Sequence, residues 1–364
     1  MPETWRKRVE QWLASATAAR AESGRGLGRQ LVEALLLRLP PSRLGLSEYY
    51  DYRLFDASLR WQDRRRFVGW RGEPALDRAN AASWRAYADD KLLLTQRLSQ
   101  AGVPQPRLHC TYLASTDPGN GCPRHGSAAE LADWLRQNRS FPLFLKPVHG
   151  GFGRGAALIE GYVPEADQLL LDGGRRVSVG EFVASLLNLA GQGLLIQECM
   201  AGVSCFEALL SGRLSTLRVM TLDEGQGPRI FRAIWKLPRA HNIVDNFESG
   251  TLGNLLAAVD LDTGRVKRVI QGFGLGLREL DRHPDSGLSV EGLTIPDWGA
   301  VCDTTLQAAR LLPGLRFQHW DVALAAQGPT PIEVNLFAAG GAELSQLVEQ
   351  RGLLEPRLLA QCRR

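Results

Sequence analysis

The sequence predicts a mixed α+β protein of two or three domains or lobes, beginning with an N-terminal helical extension. Three observations carry this. Residues 1–72 read as amphipathic, basic helices, broken at Pro40-Pro41 and holding the aromatic cluster Tyr49-Tyr50-Asp51-Tyr52. From about residue 140 onward, short apolar runs joined by Gly-rich turns alternate with helical stretches, the pattern of hairpin-rich sheets with packed helices. The chain has 364 residues, 44% hydrophobic and 23% charged, enough for more than one core and unlike a disordered segment. The expected division is 1–72, 73–198 and 199–364.

In order along the chain, a polar-spaced helix is expected around 75–107, broken at Gly102-Val103-Pro104, and a Gly/Pro-rich linker at 117–126. Strands are expected at 141–146, 156–162, 194–198, 216–222, 230–237, 255–261, 320–324 and 332–337, and helices at 128–137, 180–190, 299–311 and 343–350.

Charge excludes some classes. A net charge of +4, from 43 basic and 39 acidic residues, is too balanced for a dedicated nucleic-acid binder. No run reaches the ~18–20 apolar residues that span a bilayer, and the first 20 residues lack a signal core. Six dispersed cysteines without a CxxC pair read as reduced thiols, the usage of a cytoplasmic protein. The stretch RWQDRRR, Arg60 to Arg66, reads as a solvated helix face or a peripheral contact for an acidic partner or anionic lipid. Only five of the basic residues are lysines, so a lysine inside a motif is informative.

Three constellations carry chemistry. In Lys146-Pro-Val-His-Gly-Gly-Phe-Gly-Arg-Gly155, glycines at 150, 151, 153 and 155 let backbone amides converge on an anion, with Arg154 among them. The loop joins two strands, which excludes a P-loop and a dinucleotide fingerprint. Near the C-terminus, Asp321 and Glu333 fall opposite each other if the hairpin is centred on Gln327. Asn335 then lies on the same face, with Trp320, Val322, Leu324, Ile332, Val334 and Leu336 on the other. Two acids and an amide suit Mg²⁺ shared with phosphates. Third, Arg218 on one strand and Arg232 and Lys236 on the next form a basic pair of strands expected to receive an anion.

Taken in order, these pieces resemble the ATP-grasp superfamily, over roughly residues 85–340. Asp90-Lys91 followed by Ala101-Gly102-Val103-Pro104 is similar to its first-lysine motif, and Lys146 with the glycine loop to the second lysine and mobile lid. Leu194-Leu-Ile-Gln197-Glu198-Cys199-Met200 resembles the adenine hinge, and Asp321, Glu333 and Asn335 the magnesium set. Glu207 stands as the candidate ribose-binding acid. More narrowly, Tyr49-Tyr-Asp-Tyr-Arg-Leu54, Ser215-Thr-Leu-Arg218, Val244-Asp-Asn-Phe247, His283-Pro-Asp285 and Ile295-Pro-Asp-Trp298 resemble the sugar-transfer-associated ATP-grasp proteins, related to hexapeptide-transferase and α-L-glutamate-ligase-like sequences. The order Arg218, Lys236, Asn246 is similar to the glutamate ligases that modify ribosomal protein.

The resemblance implies an ATP-grasp fold, two α+β lobes clamping ATP after the N-terminal helical extension, and an ADP-forming carboxylate–amine ligase using ATP and two Mg²⁺ ions. Its cofactor set would be Lys91, Lys146, the loop 150–155, Gln197, Glu198, Met200 and Glu207. Arg218, Lys236 and Asn246 would be catalytic. Implied substrates are a small carboxylate and an amine, or a sugar-linked acceptor, in surface-polysaccharide or specialised peptide assembly. The alternatives are a small-molecule or sugar kinase on the same scaffold and a non-catalytic ATP-binding accessory protein of a glycan-modifying complex. His283-Pro284-Asp285 and the tyrosines at 49–52 are expected to shape the acceptor pocket.

Overall fold

The computed structural model describes residues 3–113, 119, 121–151, 153–186, 193–337 and 341–362. Helices α1 (Glu3–Ser23) and α2 (Leu27–Leu37) fold back on each other, Gln30 donating to the Ala16 carbonyl. Short helices α3 (Glu48–Asp51), α4 (Trp61–Arg64), α5 (Glu73–Leu76) and α6 (Ala86–Asp89) follow, then α7 (Lys91–Gln100). The single helix expected around 75–107 is therefore broken into pieces. Asp90 is the reason: its backbone is extended and its carboxylate accepts from the Leu92 and Leu93 amides, an N-cap that restarts the helix at Lys91.

One seven-stranded sheet comes from β1 (Leu108–Tyr112), β2 (Arg124–His125), β3 (Leu143–Pro147), β4 (Ala157–Val163), β5 (Gln168–Leu171), β6 (Arg175–Ser178) and β7 (Leu194–Glu198), in the order β2-β1-β7-β3-β4-β5-β6. Helices α8 (Ala128–Gln137) and α9 (Val179–Leu186) close its core through Leu131, Leu135, Phe182 and Val183. Part of the expected linker (117, 118 and 120) and the end of the expected helix (187–190) lie outside the described residues.

After α10 (Glu207–Leu210), a second seven-stranded sheet is built from β8 (Thr216–Asp223), β9 (Pro228–Leu237), β10 (Leu255–Val259), β11 (Val266–Gln271), β12 (Arg278–Glu279), β13 (Phe317–Ala325) and β14 (Gly328–Asn335). Its order is β12-β11-β10-β9-β8-β13-β14. Helix α11 (Trp298–Arg310) precedes β13, and α12 (Gly341–Glu349) and α13 (Pro356–Gln361) end the chain.

The period-2 alternation of this sheet decides the architecture. One face, Trp320, Val322, Val334, Leu217, Val219, Trp235 and Leu255, packs against α11 and against Leu94, Leu98 and Val103 of the α7 region. So α7, grouped by sequence with the first lobe, shares the core of the second sheet. On the other face Ile234, Leu256, Ala258 and Ile270 are covered by Tyr49, Tyr50, Tyr52, Phe55 and Phe67 of the N-terminal segment. The extension is thus one of the second sheet's two covers. The basic stretch in it is only partly a solvated face. Arg64 is buried, donating to the Asp56 carbonyl and pairing with Glu33, whereas Arg60 pairs with Asp63 and Arg65 and Arg66 face outward.

Candidate active site

A cleft of ≈ 390 Å³ opens between the two sheets. Lys146 reaches it from the end of β3, Lys91 from the first position of α7, and Gly150, Gly151, Gly153 and Arg154 from the β3–β4 turn. Gln197, Glu198 and Met200 enter from β7 and its exit. The second sheet supplies Arg218, Lys236, Asp321, Glu333 and Asn335, with Asn246 just beyond β9. Gly155 and Glu207 do not line it. Glu207 is exposed at the start of α10, on a separate cavity of ≈ 190 Å³, because the 3₁₀ turn before α10 points it away. Phe152, inside the loop, lies outside the described residues.

The carboxylate hairpin forms with a correction in register. The tight turn is Ala326-Gln327, so Ala325 opposes Gly328 and Val322 opposes Pro331. A one-residue β-bulge at Ile332 then restores the expected pairing of Asp321 with Glu333. In consequence Ile332 does not join the core face; it lines the cleft and its carbonyl accepts from Lys146 Nζ at 3.5 Å.

Glu333, Asp321, Arg218 and Ile234 form one cross-strand row over β14, β13, β8 and β9. Asp321 is buried, and both its oxygens are engaged. Arg218 donates through Nε and Nη2 at 2.9 Å each, and Lys236 Nζ donates at 3.2 Å. Burial alone would raise the Asp321 pKa, but the charges of Arg218 and Lys236 hold it well below the usual carboxylate range. Lys236 also pairs with Asp245, at 3.2 Å, which accepts from the Thr216 amide and hydroxyl. The basic strands therefore find their counter-ions within the protein. Arg232 leaves the site altogether: it is bound by Glu349, Glu355 and the carbonyls of Arg351 and Gly352.

Next to this row, Lys91 Nζ donates to the Gly150 carbonyl and stands 3.4 Å from Glu333. Burial pulls the Lys146 ammonium down to about 8, with Lys91 adding repulsion against the attraction of Glu333 and Asp321. The loop between β3 and β4 comes close to the second sheet. Gly153 has φ of +68°, and a Cβ there would lie 2.7 Å from Asn246 Nδ2.

At the hinge, Gln197 is buried and lines the cleft, and its Nε2 has no hydrogen-bond partner among the described residues. Glu198 is tied to Arg107 by two bonds, its carboxylate and its amide each meeting that residue's backbone. Asn335 Nδ2 is likewise buried and unpartnered. Among the described residues no group of three or more His, Cys, Asp or Glu side chains gathers as a metal site. The oxygens of Asp321, Glu333 and Asn335 are nevertheless an all-oxygen donor set of the kind Mg²⁺ takes when phosphate supplies the rest. About four lone-pair sites exist on a carboxylate, so Asp321, with three bonds made, retains one.

The far end of the cleft escaped sequence reasoning. Glu343, Leu344, Glu248 and Ser249 line it, and behind Glu343 lie Glu48, Asp51 and Glu73. Burial, with Glu343 and Glu48 nearby, pushes Glu73 up to about 8; burial with Asp51 and Glu48 pushes Glu343 up to about 7. Four acids from three separate segments, Glu48 and Asp51 of α3 with Glu73 and Glu343, leave no motif to read. The residues expected there are elsewhere. Tyr49, Tyr50 and Tyr52 are core, and Asp285 is clamped by Arg239 and the Ala240 amide, with His283 buried beside it.

Over residues 76–362 the sequence matches the family described as sugar-transfer associated ATP-grasp. The chain belongs to that family. No curated protein sequence matches this ATP-grasp chain significantly. Among solved structures it is similar to an L-amino acid ligase from Bacillus licheniformis, at 14% identity and TM-score 0.43, over 77% of this chain and 49% of that one. It is also similar to D-alanyl-alanine synthetase A from Vibrio cholerae O1 biovar eltor (11%, TM-score 0.44, 78% and 66%). A third is D-alanine–D-alanine ligase from Bacillus anthracis complexed with ATP (13%, TM-score 0.40, 78% and 68%). The ATP-grasp chain spans about half the length of the L-amino acid ligase.

Proposed function

We propose that this chain is an ATP- and Mg²⁺-dependent ligase that joins a carboxylate to an amine through an acyl phosphate, in surface-polysaccharide modification or specialised peptide assembly. The carrying observation is the convergence of Lys91, Lys146, Asp321, Glu333 and Asn335 on one cleft roofed by a glycine loop.

In this reading Lys91 and Lys146 neutralise phosphate oxygens of ATP, and the backbone of Gly150, Gly151 and Gly153 covers them and excludes water. Gln197, Glu198 and Met200 receive the adenine. Asp321, Glu333 and Asn335 would hold magnesium, which when bound would supply neutralisation of phosphate charge. Arg218, with Lys236 and Asn246 beside it, orients the substrate carboxylate for in-line attack on the γ-phosphorus. The carboxylate oxygen takes the phosphoryl group and ADP leaves. The amine nitrogen then attacks the acyl carbon, the carbon–oxygen bond to phosphate breaks, and inorganic phosphate departs with the nitrogen losing a proton. In this reading Arg218 also stabilises the oxyanion formed on the way.

Incubation with ATP, Mg²⁺, hydroxylamine and a panel of amino and sugar acids tests this. A hydroxamate formed in step with ADP is expected. A stable phosphorylated product in its place would make the chain a kinase, and nucleotide binding without any turnover would make it an accessory protein.

A further inference from the structure

Helix α2 is amphipathic the wrong way round. Its inward face carries Gln30, Glu33, Ala34 and Leu37. Gln30 donates to the carbonyls of Ala16 and Arg25, and Glu33 accepts from the Tyr49 hydroxyl and pairs with Arg25 and Arg29. Leu31, Val32, Leu35 and Leu36 lie on the opposite side at 3.6 residues per turn, and with Leu39 just past the helix they are 37–58% exposed. Gln30 and Glu33 are thus spent inside, and the face left to solvent is an aliphatic stripe flanked by the exposed Arg29 and Arg38.

This stripe runs into a basic, aromatic rim. Beyond Leu39, the Ser42 carbonyl accepts from the Gly69 amide and its hydroxyl donates to the Arg65 carbonyl. These bonds bring Arg65, Arg66, Trp70 and Arg71 to the end of α2. Trp70 is 61% exposed, with the Arg71 guanidinium 5.1 Å from its ring centroid. Arg38, Arg43, Arg65 and Arg66 are all exposed. Of the acids nearby, Glu33, Glu48 and Glu73 are buried, Asp63 is paired with Arg60 and Arg66, and Glu355 with Arg232 and Arg351. Residues 1–72 carry a net charge of +6, and the remaining residues −2.

We propose that this face docks on an anionic phospholipid bilayer, with α2 lying in the interfacial plane. The aliphatic stripe would enter the headgroup–acyl boundary, Trp70 would sit at headgroup level, and the arginine rim would meet lipid phosphates. Charge separates this occupant from a second copy of the chain. A two-fold contact would set one arginine rim and one +6 segment against another. The stripe is also the outer face of a single helix, which a fluid surface accommodates. No described helix is long and apolar enough to cross the membrane, so contact would be peripheral.

Flotation of the full chain with vesicles tests this, using phosphatidylcholine alone and phosphatidylcholine mixed with phosphatidylglycerol. Binding is expected to the mixed vesicles only, weakening as salt rises. The L36E/L39E variant is expected to lose more than about tenfold in affinity, and R65E/R66E a similar amount, both with an unchanged melting temperature and unchanged ADP binding. Absence of wild-type binding, equal binding to uncharged vesicles, or undiminished binding by both variants would overturn it. So would a wild-type dimer in solution that L36E/L39E dissociates.

Discussion

The Arg218 guanidinium meets the Asp321 carboxylate edge to edge across neighbouring strands, both nitrogen–oxygen distances 2.9 Å, where the two residues are register partners. Such a buried bidentate pair is weak as a net stabiliser but costly to break on one side. Asp321→Asn is expected to destabilise the fold by about 3–5 kcal/mol, because Arg218 and Lys236 stay buried with Glu333 and Asp245 left to balance them in part. Adding Arg218→Gln should recover a good part of that loss in urea unfolding, while ATP turnover stays absent in both variants. A double variant no more stable than the single one would show that the two residues are not an energetic unit.

Lys146 gives the site a pH dependence of definite sign. Burial holds its ammonium down at about 8, so the charged form that phosphate favours dominates below that pH and is lost above it. Affinity for ADP is expected to fall as pH rises from about 7 to about 9, with at most about a tenfold loss per pH unit. Binding above pH 8 should take up a proton, visible as a buffer-dependent enthalpy in titration calorimetry. Lys146→Met should bind weakly with no such dependence.

Gly153 tests the approach of the glycine loop to the second sheet. Its positive φ and the 2.7 Å that would separate a new Cβ from Asn246 Nδ2 both penalise a side chain. Gly153→Ala is expected to weaken ADP binding by about tenfold, the equivalent of the roughly 1–2 kcal/mol cost of a left-handed alanine plus its contact. Global unfolding should move by no more than that amount. Gly151→Ala, where a Cβ meets nothing within 4 Å, is the control.

Glu73 should make the fold sensitive to alkali. Burial first, then Glu343, Glu48 and Asp77, raise its pKa to about 8, and the Ala342 amide only partly offsets this. A carboxyl with a raised folded-state pKa contributes stability that is complete below its unfolded value and is lost as pH rises through the folded one. Between about pH 5 and pH 9 the wild type is therefore expected to lose stability on the order of a few kcal/mol. Glu73→Gln keeps the acceptor and removes the titration, so its urea midpoint should vary less over the same range. Equal slopes for the two proteins would rule Glu73 out as the source.

Local patterns were legible before any coordinates. The strands at 194–198 and 216–222, the helix at 299–311 and the opposition of Asp321 to Glu333 all follow from alternation and from turn residues, which are short-range signals. Strands β1, β2, β5, β6, β11 and β12 were not expected, and their pairing rests on partners rather than on their own pattern. Alternation also misplaces Ile332, since nothing in the residues announces a bulge that re-aims one carbonyl toward Lys146. Arg232 and Lys236 share a face in the sequence pattern, yet one is sealed by the C-terminal segment and the other opens on the cleft.

The sequence by itself determined the family's ordered motifs, the glycine loop after Lys146 and the two acids on adjoining strands. Each is encoded within a dozen residues or so, where backbone geometry dictates which side chains share a face. Only the tertiary structure decided who partners whom: Arg218 with Asp321 over 103 positions, Lys91 with Glu333, the tyrosines at 49–52 as a sheet's cover, and Glu343 at the mouth of an acidic recess. Those outcomes depend on how the layers stack and on which buried charge finds a counter-ion, and such long-range pairings leave no periodic trace along the chain.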